Sequence, residues 1–393
     1  MAKTLQFKVE RPQKIAAALL LAFLLQCFYV TSVRPLDEQE LRTAFVGRHA
    51  WSGSPGELSR PGQSVSDENV LAVRAAGLLP RLWQKLHIGE DEDRIYAAPS
   101  RRLTRLPFAI FGLWLGAALW WVARRLYGSC GGYVALALFC FSPVIIFYSS
   151  TARPEILVAW GIFGLVFTAI GVGHTLYAPA RMWRLRILLL GAAIGLTAVA
   201  NLAAALIGLL FGLAFVLYLA PGRRLIGTAV LALSSIIGAF LCWLSLKLQG
   251  TALQTIKISF AVNAAKAGRF ISHPSSWIFV LLFVLCLVVY ASWPRARYFG
   301  NTAPLLAGCL MLFVLPGLSM NQGFPGSKFP VWALPFLCVF VGGIAADLLE
   351  DRLLAGRYRR QIAALLFLIL VANAVLCIMA AYHGLNSWPN LQS

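Results

Sequence analysis

The chain has 393 residues, 59% of them hydrophobic and only 12% charged, with a formal net charge of +19. Globular chains carry about 25% charged residues, so a cytosolic enzyme, a disordered scaffold and a disulfide-stapled secreted module are excluded, and only a membrane solvates this much apolar surface. Nor is this a nucleic-acid binder: the cations punctuate apolar runs instead of forming a patch.

A spanning helix needs about 20 mostly apolar residues, each rising about 1.5 Å across a hydrocarbon core of about 30 Å. In chain order the sequence predicts about eleven such helices, over 15–33, 107–123, 132–149, 156–176, 186–201, 204–220, 225–246, 277–293, 302–318, 329–348 and 361–381. The fifth and sixth are short and run together through Asn201, so the same pattern allows ten spans. The first follows a basic start (Lys3, Lys8, Arg11, Lys14), lacks a small-residue cleavage site and is long enough to span; it reads as a retained helix, not a signal peptide. The eight cysteines lie in or beside these runs without metal-ligand spacing and read as apolar fillers.

The short connections alternate in charge. The N-terminus, Arg124/Arg125, Arg181/Arg184/Arg186, Arg223/Arg224, Arg295/Arg297 and Arg352/Arg357/Arg359/Arg360 hold 17 cations, whereas the opposite short connections hold six. The positive-inside rule makes the richer set cytoplasmic. The expected molecule is therefore an all-α, polytopic helical bundle, one membrane domain over 1–393. It is expected in a bacterial inner membrane with its N-terminus inside.

Between the first two spans lies a long outer loop, 34–106, holding 10 of the 15 acidic residues. Loops of this length without a role are uncommon. Leu41, Phe45 and Val46 share a face at helical spacing after Asp37 and Glu38, which predicts a short juxtamembrane helix. A second amphipathic stretch runs from Val70 through Val73, Ala76 and Leu82 to Leu86, broken near Pro80. Ser66 before Asp67 and Glu68 reads as its N-cap, and Glu90-Asp91-Glu92-Asp93 as a solvated turn.

Sorted by side, the remaining polar residues gather on the outer face: Asp37 and Glu38, Arg153 and Glu155, a 248–276 segment with Lys257, Arg269 and His273, and Lys328. A carboxylate at a membrane edge suits general-base work, and cations beside it suit a phosphate. Each residue also has a plain reading. Asp37 and Glu38 are acids at a helix start; Arg153 and Lys328 are interfacial anchors; His273 is an interfacial residue with no second His at fixed spacing to make a metal site. No Walker sequence, zinc signature or serine elbow occurs, which disfavours an ATP-driven pump.

Four short matches, in order and on consistent sides, resemble the GT-C superfamily and, within it, the PMT/ArnT-like polytopic glycosyltransferases. They are Leu36-Asp37-Glu38 after the first helix; Arg105-Leu106-Pro107 through Ser142-Pro143 to Ala152-Arg153-Pro154-Glu155; His273-Pro274 ahead of Trp277; and Lys328-Phe329-Pro330 to Leu334-Pro335. The resemblance implies transfer of a sugar from a polyprenyl-phosphate donor to a lipid, glycan or protein acceptor on the outer face, with inversion. It implies Asp37 as the base, with Glu38 beside it in the acidic motif, Glu155 at a second acidic position and Lys328 on the phosphate; Arg153 and Arg269 join only by side. A divalent metal, with His273 as ligand, is a further expectation taken from some members. The sequence departs from the family at Asn201, where many members carry a Lys. Two other classes stay open: a transporter or flippase of lipid-linked sugars, which predicts internal repeats and polar groups at the bilayer midplane, and a non-enzymatic envelope-assembly subunit.

Overall fold

The computed structural model describes residues 11–49, 70–86, 98–177, 183–219, 221–249, 274–292, 298–314, 329–350 and 352–383, and these are helical almost throughout, with no strand among them. The helices are α1 (Arg11–Val33), α2 (Glu38–His49), α3 (Val70–Leu86), α4 (Ala98–Cys140), α5 (Pro143–Ser149), α6 (Glu155–Tyr177) and α7 (Trp183–Ala200). They continue as α8 (Leu202–Leu219), α9 (Arg224–Gln249), α10 (Pro274–Ser292), α11 (Tyr298–Cys309), α12 (Phe329–Glu350) and α13 (Arg352–Tyr382). Among the described residues seven helices are long and apolar enough to cross a membrane, and α8, α10 and α11 hold shorter apolar stretches. The protein is an integral membrane protein; the count of eleven spans remains the sequence's expectation.

The segment α4 is two helices joined at a kink. Gly128 has φ 79° and ψ −174°, a region open almost only to glycine, and the chain reverses there. A Cβ built on Gly132 would lie 3.1 Å from the Arg124 Cβ, and one on Gly116 would lie 2.9 Å from the Phe139 ring. The arms 98–127 and 129–140 therefore run antiparallel, as the second and third predicted spans require, with Arg124 and Arg125 beside the turn.

The third predicted run, 132–149, is not continuous. Ser142 is extended (φ −101°, ψ 115°) and Pro143 opens α5, because proline bars its predecessor from the helical region. Carbonyls freed inside an apolar bundle need donors. Gln26 Nε2 donates to the Cys140 carbonyl (3.3 Å) and Asn373 Nδ2 to the Phe141 carbonyl (3.0 Å), which ties α1 and α13 to the break. Asn201 separates the fifth and sixth predicted runs: its Oδ1 accepts the Ala204 N–H at 2.9 Å and so caps α8.

The most enclosed helix is α12. Trp332, Phe336 and Phe340 are wholly buried, with Phe336 against Phe163 and Phe167 of α6 and Phe340 against Phe283 of α10. By contrast α9 and α13 turn Ile236, Phe240, Phe367 and Leu368 outward, the sidedness expected of helices whose outer solvent is lipid.

The first long loop does contain two helices. A Cβ on Gly47 of α2 would fall 2.3 Å from the Val73 carbonyl oxygen of α3, so glycine sets the close crossing of this pair. Leu41 and Phe45 are exposed, and the buried face of α2 is Glu40, Thr43 and Gly47. The predicted break near Pro80 does not occur: α3 continues through it, and Pro80 lies on the buried face, where packing offsets its one missing donor. The predicted N-cap at Ser66 and the acidic turn at 90–93 lie outside the described residues.

Candidate functional site

Where the chain leaves α1 and enters α2, charged side chains from four segments meet. Asp37 is the N-cap of α2: its Oδ1 accepts the Glu40 N–H at 2.8 Å, while Glu40 Oε2 accepts the Asp37 N–H at 3.1 Å. This reciprocal pair is a capping box with acids in both positions. Glu40 also takes two donors from Arg105 of α4, Nε at 2.8 Å and Nη2 at 2.5 Å, and the Ala152 N–H at 2.8 Å. Both side chains are wholly buried. The other Arg105 donors go to the Arg34 and Pro35 carbonyls, each at 2.8 Å. Arg105 and Glu40 thus lock the end of α1, the start of α2 and the connection before α6 into one unit.

That connection brings Arg153 to Asp37, Nη2 to Oδ2 at 2.6 Å. Arg34 reaches the same oxygen at 3.7 Å. Both guanidiniums lie over the Phe147 ring of α5, at 4.4 Å for Arg34 and 5.9 Å for Arg153. Glu155, wholly buried at the start of α6, supplies the strongest opposite charge acting on Arg153. The Trp332 indole N–H donates to the Glu155 carbonyl oxygen at 3.0 Å, so the first turn of α12 stands at the same end of the bundle.

The electrostatics follow from this geometry. Burial alone would raise the Asp37 carboxyl, but the Arg153 charge, the Glu40 N–H and the Arg34 charge outweigh it and hold Asp37 below its ordinary value. Burial would lower Arg153, yet Glu155 and Asp37 keep it above the usual guanidinium value. Arg34 moves the other way: burial, reinforced by the like charges of Arg105 and Arg153, outweighs Glu40 and Asp37 and lowers it.

Of the residues singled out in the sequence, Asp37, Arg153 and Glu155 are brought together. Glu38 occupies the first turn of α2 and is exposed; the buried acid of that turn is Glu40. Arg269, His273 and Lys328 lie outside the described residues. Among the described residues no three His, Cys, Asp or Glu side chains group as metal ligands. Glu40 is committed to Arg105 and Asp37 to the Glu40 N–H and Arg153, so these two acids do not suit a divalent cation. Sequence reasoning missed Arg34, Glu40 and Phe147. The Asp37-x-x-Glu40 spacing was the available signal for one of them.

This is a polytopic, all-helical membrane fold, with its charged cluster where α1 meets the α2–α3 pair. No family model matches the sequence, and no curated protein matches it either. Among solved structures the fold is similar to ArnT from Cupriavidus metallidurans in the apo state, at 14% identity and TM-score 0.50, covering 94% of this chain and 74% of that one. It is similar to the same protein bound to undecaprenyl phosphate at 16% identity and TM-score 0.54, covering 94% and 75%. The likeness is one of fold.

Proposed function

We propose that the protein is a membrane glycosyltransferase that moves a sugar from a polyprenyl-phosphate donor to an acceptor hydroxyl at the Asp37 end of the bundle. The observation that carries this reading is the meeting of Asp37, Arg153 and Glu155, from separate segments, at one end of an ArnT-like fold. The reaction is an inverting single displacement. The acceptor oxygen attacks the anomeric carbon, Asp37 takes the hydroxyl proton, and the bond from that carbon to the phosphate oxygen breaks. The leaving group is a polyprenyl phosphate, whose charge the buried guanidinium of Arg153 stabilises, with Lys328 and Arg269 as further cations. Glu155 stabilises the Arg153 charge, and Glu38, exposed beside Asp37, faces the acceptor side. The outer loops recognise the acceptor, and the site faces the periplasm with the N-terminus in the cytoplasm.

Asp37→Asn tests the mechanism. Asparagine caps a helix as well as aspartate, so α2 keeps its start while the base is lost. With purified protein and a panel of polyprenyl-phosphate sugars, transfer should fall by at least about 100-fold. Equal rates in the variant would remove Asp37 from the chemistry, and a wild type inert toward every donor would end the reading.

A further inference from the structure

Three arginines crowd the site, and their hydrogen bonding sorts them. Arg105 spends its donors on Glu40 and on backbone carbonyls, and its role is to hold the corner. Arg34 and Arg153 differ. They are 8% and 4% exposed, yet Arg34 Nη1 and Arg153 Nε find no acceptor among the described residues. Buried donors without partners are rare because each carries an uncompensated desolvation cost. Here two of them, on cationic groups, lie in one neighbourhood: both guanidiniums contact the single oxygen Asp37 Oδ2 and both lie over Phe147.

We propose that Arg34 binds phosphate, closing with Arg153 a two-guanidinium clamp on the phosphate of a polyprenyl-phosphate lipid. The inference rests on the glycosyltransferase reading and adds to it a residue and a division of labour. A phosphate offers several oxygens to guanidinium donors, and such pairs form strong, charge-assisted bonds. It would supply the acceptors that Arg34 Nη1 and Arg153 Nε lack, and replace the longer Arg34–Asp37 contact. The height is also right. Arg34 directly follows α1, whose Leu25, Phe28 and Val33 are exposed and apolar, so an isoprenoid tail lying along that face brings its phosphate to the arginine. Phe147 fixes the guanidinium plane by stacking.

The test measures binding, not transfer. The full-length protein, reconstituted in nanodiscs, is titrated with undecaprenyl phosphate and with undecaprenol, and occupancy is read by native mass spectrometry. Wild type should prefer the phosphorylated lipid. Arg34→Gln should weaken that lipid by roughly tenfold or more, the scale of a lost charged hydrogen bond, while leaving undecaprenol unchanged; Arg34→Lys should fall between. An unchanged preference in Arg34→Gln overturns the clamp, as does an equal loss of both lipids, which marks a purely structural role. Should Arg34→Gln fail to fold, Arg34→Met, which keeps the packing without the charge, takes its place. A structure of the wild type with undecaprenyl phosphate decides without any variant: a phosphate beyond hydrogen-bond reach of Arg34 refutes the proposal. Arg34-dependent lipid binding in a protein that transfers no sugar defeats the enzymatic reading and leaves the clamp. Transfer with unchanged affinity in Arg34→Gln defeats the clamp alone.

Discussion

Replacing Glu40 with glutamine should damage the protein more than any other single change in α2. The side chain is wholly buried and its two oxygens receive four donors: Arg105 Nε and Nη2, the Ala152 N–H and the Asp37 N–H. Glutamine keeps the shape, removes the charge and turns an NH2 group toward other donors. Arg105 is then a buried guanidinium without a counter-charge. Removing one partner of a buried pair costs about 3–5 kcal/mol, a large part of a typical total stability of roughly 5–15 kcal/mol. The assay is unfolding in detergent of four proteins: wild type, Glu40→Gln, Arg105→Met and the double variant. The double variant still loses one of the Ala152 and Asp37 bonds, because glutamine keeps a single acceptor oxygen; that bond is worth about 0.5–1.5 kcal/mol, but the variant no longer buries a lone charge. It should be less destabilised than the sum of the singles by on the order of 2–3 kcal/mol. A Glu40→Gln loss below about 1 kcal/mol, or additive singles, would refute the claim that this ion pair locks the corner.

Two further outcomes follow from the backbone and the charges. Asp37 titrates below its ordinary value, about 3.9 when unfolded; its ion pair therefore contributes stability that is complete above that pH and lost as the pH falls through the folded value. Thermal stability should stay level from pH 7 to about 4 and then decline, and Asp37→Asn should flatten the decline; an identical acid limb in the variant contradicts the pairing. Gly128→Ala forces a side chain into the glycine-only region and should cost roughly 1–3 kcal/mol, read as a lowered melting temperature, and an unchanged one would mean that the hairpin turn is not at Gly128.

Hydropathy made most of the bundle legible, because in lipid the apolar run and the helix are nearly the same object. The runs at 156–176, 225–246 and 329–348 match α6, α9 and α12 within a few residues. Asn201 marked a break by its polarity alone. What escaped was whatever depends on contact between distant segments. Ser142-Pro143 signals an interruption, but nothing local says that Gln26 and Asn373 will satisfy it. At the site, Asp37, Arg153 and Glu155 were found by side and by resemblance. Arg34 looked like one more loop cation, and Glu40 like one more acid in a first turn. Their importance comes from burial, and burial of a charge is set by its partner. Pro80 misled for the same reason, since the packing of α3 overrides the local signal.

The contacts that place Asp37 also weaken it as a base. Oδ1 holds the Glu40 N–H and Oδ2 holds Arg153, so the carboxylate is aimed and ionised, but with a proton affinity too low for efficient general-base work near neutral pH. An incoming phosphate competes with Asp37 for Arg153, and each step of that guanidinium toward the phosphate raises the affinity of Asp37 for a proton. Donor binding and base strength are then coupled through one side chain. The coupling has a kinetic signature. The acid limb of kcat/KM reports the free enzyme and that of kcat the donor complex, so the kcat limb should lie at the higher pH. Coincident limbs, or a kcat limb at lower pH, would mean that Arg153 stays on Asp37 during transfer and that another group removes the proton.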